Sequence, residues 1–385
     1  MAERHAVVAG AGIGGLAAAV ALHRRGWRVT VLERAPEPRE VGAGITLMAN
    51  AVRGLEALGL GASIRRIGRA DGPGGLRDRT GRWLSRVDAD EMHRLLGTTA
   101  LGVHRTALHR TLREALPPQV LRTGCVVRDA DPDTGVVRYD RDGEPAELRA
   151  DLVVGADGLR SALRGALWPQ LPPPAYGGST AWRAAIAYDG PLVTAVSWGP
   201  GAEFGMVPLG TGQVYWYAAV TSPAGETAPD ELAAVRERFD HWHDPIPALL
   251  AATPPETVLR NDLYHLATPL PSFVRGRVAL LGDAAHAMLP HLGQGGCQAI
   301  EDAVTLGVLA GPSGDVPAAL RAYDRVRRPR SQDVAQAAAR MARFGQQLRH
   351  PAAIAVRDTL VRFTPGRMAL RGMARHADWH PPQPG

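Results

Sequence analysis

An α/β fold is predicted, with a Rossmann-type nucleotide-binding domain, a second β-rich domain and C-terminal helices, and three observations predict it. Gly10-Ala11-Gly12-Ile13-Gly14-Gly15 stands between an apolar run over 6–9 and the helix-forming run Leu16-Ala17-Ala18-Ala19-Val20. Two later strand patterns, Asp151-Leu152-Val153-Val154-Gly155-Ala156-Asp157-Gly158 and Arg277-Val278-Ala279-Leu280-Leu281-Gly282-Asp283, each run into a turn that joins a glycine to an aspartate. Between them, residues 182–220 alternate in short strands broken by glycine, the pattern of a separate sheet.

In the first stretch Gly10 permits the turn, Gly12 lets a diphosphate approach the backbone, and Gly15 lets the helix pack on the strand. A dinucleotide diphosphate can therefore sit on the helix N-terminus. Glu33 closes the next apolar strand, 28–32, close to the spacing of about 20 residues expected of a ribose-binding acid. Strands and helices alternate to about Leu60 and weaken through the glycine-rich residues 71–75. Residues 104–116 read as a helix, and 120–139 as strands with a turn at Asp131-Pro132-Asp133-Thr134-Gly135. Pro172-Pro173-Pro174 reads as a linker. The region beyond it carries most of the aromatic side chains, including Trp182, Trp198, Phe204, Tyr215, Trp216 and Tyr217. Helices are expected over 318–349 and 352–375, before a proline-rich tail from Pro381. An apolar stretch from Ala6 to Leu22 follows Glu3-Arg4-His5, but four glycines in turn register and a following strand argue against a secretory signal.

Composition excludes several function classes. The chain has 385 residues, 45% hydrophobic and 21% charged, as expected for a globular protein. Its formal net charge of +6 rests on 44 basic residues, all of them arginine. With no lysine and no basic run interleaved with aromatics, nucleic-acid binding is not expected. Cys125 and Cys297 are too few for a disulfide framework and suit a reducing cytoplasm. Cys297 reads as a small residue packed under a ligand; the alternative is a thiolate favoured by the expected helix start beside it. No apolar stretch reaches the length of a membrane span. His241 and His243 flank Trp242, but residues two apart do not share a helix face and no third ligand stands nearby, so no metal is expected.

Together, the Gly10 turn, Asp157-Gly158 and Gly282-Asp283-Ala284-Ala285-His286 with the following Pro290 and Gly293-Gln294-Gly295-Gly296 resemble the three-part signature of the class A flavoprotein monooxygenases, the p-hydroxybenzoate hydroxylase fold. Val41-Gly42-Ala43-Gly44-Ile45 and His104-Arg105-Thr106-Ala107-Leu108 fit the same pattern. The resemblance covers most of the chain and is shared with salicylate, hydroxynicotinate and urate hydroxylases. It implies that residues 1–70, 98–172 and 275–330 bind FAD, that 71–97 and 173–274 form the substrate domain, and that 331–385 are C-terminal helices.

The resemblance also implies a chemistry: NADH or NADPH reduces the flavin, and O2 then gives a C4a-hydroperoxyflavin that hydroxylates an aromatic or heteroaromatic small molecule. Cofactor-binding residues implied are Gly10, Gly12, Gly15, Glu33, Arg34, Gly44, Ile45, Arg105, Val126, Asp157, Gly282, Asp283, Pro290, Gly293, Gln294, Gly295 and Gly296. Asp283 resembles the residue that bonds a ribityl hydroxyl, Arg105 the one that reaches the diphosphate side, and Asp157 the one near the pyrophosphate, often linked to the nicotinamide partner. Asp157 and Asp283 can equally cap the helices that follow them, and Arg105 can be an exposed surface arginine. A helix beginning near Cys297 would point its positive end at the ring edge where anionic charge builds up, and Gln294 could add an amide donor. His286 reads as structural, whereas His291 is the better candidate for lining the site.

On the substrate side, Tyr215 and Tyr217 alternate along an expected strand and share a face, so both phenols could bind or deprotonate a substrate hydroxyl. Trp182, Phe204 and Met206 are expected as pocket walls, and Arg183 as a partner for a substrate carboxylate; the alternatives are an interlayer core and an exposed arginine. Epoxidation of an alkene or indole, or a non-catalytic flavin-binding role, stays open. A flavin-dependent halogenase does not fit, because that family relies on a lysine this chain lacks and on a W-x-W-x-I-P element that Tyr215-Trp216-Tyr217 does not match. The expected protein is a cytoplasmic monomer or homodimer without a membrane span.

Overall fold

A computed structural model describes residues 4–37, 43–70, 72 and 74–383. Glu3, Val41, Gly42 and Asp71, named above, lie outside them. The chain is mixed α/β. Its first sheet has six strands in the order Val274–Arg275, Val278–Leu280, Leu152–Gly155, His5–Ala9, Arg28–Leu32 and Leu121–Arg122. The five strands from Val278–Leu280 to Leu121–Arg122 pair in parallel. Such strands are covered on both faces and therefore read as continuous apolar runs: HAVVA and LVVG are buried throughout. Helix Ile13–Arg24 packs against helix Gly295–Leu309 on one side, and Gly307 leaves room for Ala21 where the two approach. An antiparallel sheet of Cys125–Ala130, Val136–Arg141 and Glu144–Arg149 forms a further layer, whose turn is built by Asp131 accepting from the Asp133 and Thr134 N–H groups at 2.9 and 3.0 Å.

The second sheet has seven strands in the order Leu259–His265, Ala175–Ala187, Gln213–Thr221, Ala202–Pro208, Thr194–Gly199, Gly74–Asp78 and Trp83–Val87. Its last two strands come from the early excursion, joined through a parallel pair between Gly74–Asp78 and Thr194–Gly199. The longest strand, Ala175–Ala187, shifts register between Tyr176 and Thr180, across Gly177-Gly178. A small sheet of Gly44–Leu47, Leu101–His104 and Gly68–Ala70 stands between the two larger ones, and Gly44 lies under the Tyr215 side chain. The helical end is a single helix Val316–Phe344, then Pro351–Phe363 and Gly366–Ala377. No helix of the described residues is long and apolar enough to cross a membrane.

Register decides which face of the large sheet meets which partner. Arg183 pairs with Tyr217, and Tyr217 with Gly205, across three adjacent strands. Because side chains alternate along a strand, Trp182, Ala184, Trp216, Ala218, Phe204 and Met206 all fall on the opposite face from Arg183 and the two tyrosines. There they form a buried core with Phe239, Leu249 and Leu250 from the helices Glu231–Phe239 and Ile246–Ala251 and with Trp242 from the connection between them. The expectation that Trp182, Phe204 and Met206 wall the substrate pocket is therefore corrected: they fill an interlayer core. Phe204 stacks on Trp216 at 5.6 Å, and the Trp182 indole N–H donates to Glu231 at 2.7 Å. A Phe204→Ala variant is expected to lose about 3–5 kcal/mol of stability by urea denaturation while its flavin spectrum is unchanged at low temperature. Unchanged stability with weakened substrate binding would reverse this assignment.

Candidate active site

The site is assembled from the carboxyl ends of the parallel strands, where open α/β sheets bind ligands. Strand His5–Ala9 ends at Gly10, whose φ of +99° and contact with the Ala156 carbonyl oxygen exclude a side chain. The next glycine differs. A Cβ on Gly12 would meet nothing within 4 Å, and Gly12 caps helix Ile13–Arg24 with no side-chain hydrogen bond, so the first helical N–H groups face open space. Glu33 is held beside this turn, accepting from the Ala11 and Ala35 N–H groups at 2.7 and 2.9 Å. Arg34 is exposed next to it. The Cys125 N–H donates to the Glu33 carbonyl at 2.8 Å, which brings Val126, itself exposed, to the same edge.

The two glycine-aspartate turns meet at this edge. Asp157 accepts from the Leu163 N–H at 3.1 Å through Oδ2, while its Oδ1 is buried without a hydrogen-bond partner. Arg164 ties the turns together by donating to the Ala284 and Leu159 carbonyls at 3.0 and 2.6 Å. Gly282 places Asp283 at the first residue of the short helix Asp283–His286, exposed among buried neighbours. Pro290, His291 and Leu292 form one 3-10 turn, Gly293 (φ +62°) reverses the chain, and helix Gly295–Leu309 starts behind it with Gln294 as its cap. Ile45 packs against Gly296. Arg105 opens helix Arg105–Glu114, exposed, and its charge acts on Tyr215.

A buried polar network anchors this arrangement, and it alters one expectation. Arg327, fully buried, donates through Nε to Asp302 at 2.7 Å and also bonds Glu301. Asp302 in turn accepts from the Gly282 N–H at 2.9 Å and bonds the His286 ring at 2.6 Å, so His286 is locked behind the Gly282 turn. Asp302 is held down at about 2: burial opposes its ionisation, but His286 and Arg327 outweigh it. Gln294 is turned into the same network. Its carbonyl oxygen accepts from Asn50 and Gln298 at 2.9 and 3.1 Å and its amide faces the Met48 sulfur at 3.0 Å. The side-chain amide expected to reach a flavin edge is thus already engaged, and the free donors there are main-chain N–H groups of the helix start. Cys297 is fully buried and its thiol is pushed up to about 12 by burial, as expected of a packed residue and not of an activated thiolate.

Facing the glycine loop, the large sheet presents Arg183, Tyr215, Tyr217 and Glu203. Tyr217 lies over Gly205, with its ring 5.8 Å from that of Tyr215. Burial raises both phenols above their ordinary value, Tyr217 well above it, and Glu203 adds to both shifts. Both phenols are therefore held in the neutral form, which favours the binding alternative of the two expected for them. His291 closes the cluster with its Nε2 3.8 Å from Glu203 Oε1. Its side chain is almost fully buried, yet neither ring nitrogen has a hydrogen-bond partner, and neither does the buried Arg183 Nε. Glu203 was missed by sequence reasoning. Its only signal is an acid inside the otherwise apolar strand AEFGMVP, on the face opposite Phe204 and Met206.

The residues present fit FAD: an open diphosphate cradle at Gly12, an acid at ribose distance along the chain, an orphaned carboxylate oxygen on Asp157 and an exposed Asp283 all follow the carboxyl ends of neighbouring strands of one parallel sheet. The profile of a family described as FAD binding domain matches residues 3–338. The chain belongs to this family, and its relatives place it among the FAD-dependent monooxygenases. Among relatives of this flavoprotein, aurachin C monooxygenase/isomerase of Stigmatella aurantiaca is 40% identical over 347 residues, 88% of this chain and 89% of that protein. FAD-dependent urate hydroxylase of Klebsiella pneumoniae subsp. pneumoniae is 35% identical over 337 residues, 86% and 87% of the two chains. The crystal structure of Klebsiella pneumoniae HpxO complexed with FAD and uric acid superposes with a TM-score of 0.90 at 29% identity, covering 97% of this flavoprotein and 96% of that chain.

Proposed function

We propose that this flavoprotein uses NADH or NADPH and O2 to hydroxylate an aromatic or heteroaromatic small molecule bound between the large sheet and the glycine loop. The observation that carries the reading is the polar cluster of Arg183, Tyr215, Tyr217, Glu203 and His291 facing that loop, with orphaned nitrogens on Arg183 and His291 in an otherwise apolar interlayer. Bound FAD supplies the electron transfer and oxygen activation. The chain's own residues do the rest. The N–H groups behind Gly12 hold a diphosphate, Glu33 a ribose and Asp283 a polyol hydroxyl, with Arg34, Val126 and Arg105 flanking them. With FAD bound, the N–H groups at the start of helix Gly295–Leu309 would stabilise negative charge on the flavin, beside Ile45, which packs on Gly296, and Gly44, which lies under Tyr215. Tyr215 and Tyr217, kept neutral by burial, donate hydrogen bonds to substrate oxygen, and the packed layers exclude water.

The relatives named for urate, 3-amino-4-hydroxybenzoate and 6-hydroxynicotinate support nitrogen-bearing or hydroxylated rings as the substrate class. Two buried free cysteines support a reducing cytoplasm. The test is substrate-stimulated NAD(P)H oxidation under labelled oxygen. One labelled atom per product is expected; NAD(P)H oxidation that yields only hydrogen peroxide with every ring compound tried would reject the hydroxylase reading.

A further inference from the structure

We propose that Glu203 and His291 form the proton-accepting pair of this site, with His291 the catalytic base and Glu203 its positioning carboxylate, and that the substrate is a ring compound bearing an ionisable O–H or ring N–H. The proposal rests on the hydroxylase reading and deepens it. The tyrosines cannot take the proton, since burial holds both phenols in the neutral form. Arginine has no lone pair to offer. Of the groups on this face, that leaves the imidazole and the carboxylate. His291 is almost fully buried with both ring nitrogens unpartnered, and among the described residues Glu203 is the only acid within 4 Å of it. A buried imidazole without hydrogen bonds is costly unless a ligand completes it. Glu203, one ladder step along the sheet from Gly205, sits beside the Tyr217 ring and close enough to raise that phenol.

Burial raises the Glu203 carboxyl, the His291 charge opposes that shift, and Glu203 acts in turn on Tyr215 and Tyr217, while Arg183 of the same sheet and Arg105 of helix Arg105–Glu114 act on Tyr215. The Trp198 indole is the remaining polar neighbour of Glu203. Arg183 stands two strands and two residues from Glu203 on the same face, about 12 Å between backbones at sheet spacing. In the step itself, the substrate O–H or N–H bond breaks, the proton goes to His291 Nε2, and its electron pair stays on the substrate as an electron-rich anion. The imidazolium formed faces the Glu203 carboxylate, and the substrate anion faces Arg183 and the two phenols. No electrons are exchanged with the protein, and the anion is the more reactive ring toward an electrophilic oxygen.

The test uses the FAD-loaded enzyme with oxidised flavin, without NAD(P)H, so that it stands or falls apart from oxygenation. The probes are 3-amino-4-hydroxybenzoate and 6-hydroxynicotinate, each beside its O- or N-methyl counterpart, followed by difference absorbance from pH 5 to 9. The wild type is expected to bind the free O–H or N–H forms at least about tenfold more tightly than the methylated ones and to show the absorbance of the ionised probe below its solution pKa. In Glu203→Gln the ionisation midpoint of the bound probe moves up by about one unit, a tenfold weaker proton acceptor, and Glu203→Asp restores part of the shift. His291→Asn abolishes ionisation and lowers kcat/KM with the turned-over substrate by about 100-fold or more. Methylated probes that bind as well as free ones, or a Glu203→Gln midpoint equal to wild type, overturn the proposal. So does a midpoint shift that Glu203→Asp does not reduce, since it reports a packing defect.

Discussion

Gly12→Asp is expected to yield a folded, colourless protein. Nothing lies within 4 Å of the position a Cβ would take, so the branch point of the side chain meets no protein atom and the apo chain is expected to keep its far-ultraviolet dichroism and a midpoint within a few degrees of wild type. The carboxylate instead enters the space in front of the helix Ile13–Arg24 N-terminus, where it caps the free N–H groups itself and repels a diphosphate. FAD affinity is expected to fall by at least about 100-fold, roughly 2.7 kcal/mol, read by flavin fluorescence after ultrafiltration. Gly10→Ala separates the two roles of the turn. Its φ of +99° and collision with the Ala156 carbonyl strain the chain before any ligand binds, so this variant loses stability as well as flavin. A yellow Gly12→Asp protein would remove the diphosphate from this helix end.

Arg327→Met is expected to destabilise the fold by about 3–5 kcal/mol, because it leaves a buried carboxylate without its cation. Glu301 keeps a partner, since Arg330 donates to it at 2.6 and 2.8 Å. Asp302 keeps only His286 and the Gly282 N–H, so the Gly282 turn that presents Asp283 loosens and FAD affinity falls with stability. The pH dependence follows from the depressed Asp302. Its ordinary value of 3.8 drops to about 2 in the fold, so it contributes stability that is present above pH 4 and is lost as pH falls toward 2. The gap between wild type and variant in urea titrations is therefore expected to be widest near neutrality and to narrow below pH 4. An unchanged gap across that window would show that Asp302 does not carry the effect.

Much of the fold and half of the site were legible in the residues. The Gly10 turn, Glu33 and the two glycine-aspartate turns were readable because a parallel sheet buries uniform apolar strands and ends them at turns with few chemical solutions. The substrate face was less so. Tyr215 and Tyr217 could be assigned to one face by alternation alone, but which face met the cofactor domain depended on the pairing of Arg183 with Tyr217 and Gly205. Both faces of that sheet are covered, so aromatics on either side look alike in sequence, and Trp182, Phe204 and Met206 were assigned to the wrong one. Gln294 was misread for a related reason: a helix start suggests an outward donor, while the chain turns its side chain inward onto Asn50 and Gln298.

The amino-acid order by itself determined the nucleotide-binding half, because its turns are set by local backbone conformation and by the spacing of a few glycines and acids. Only the tertiary structure decided that Glu203 meets His291, that Asp302 is held as an anion by Arg327, and that the phenols stay protonated. Each of these depends on burial and on partners far apart in the chain, and neither desolvation nor a long-range ion pair leaves a mark in local sequence.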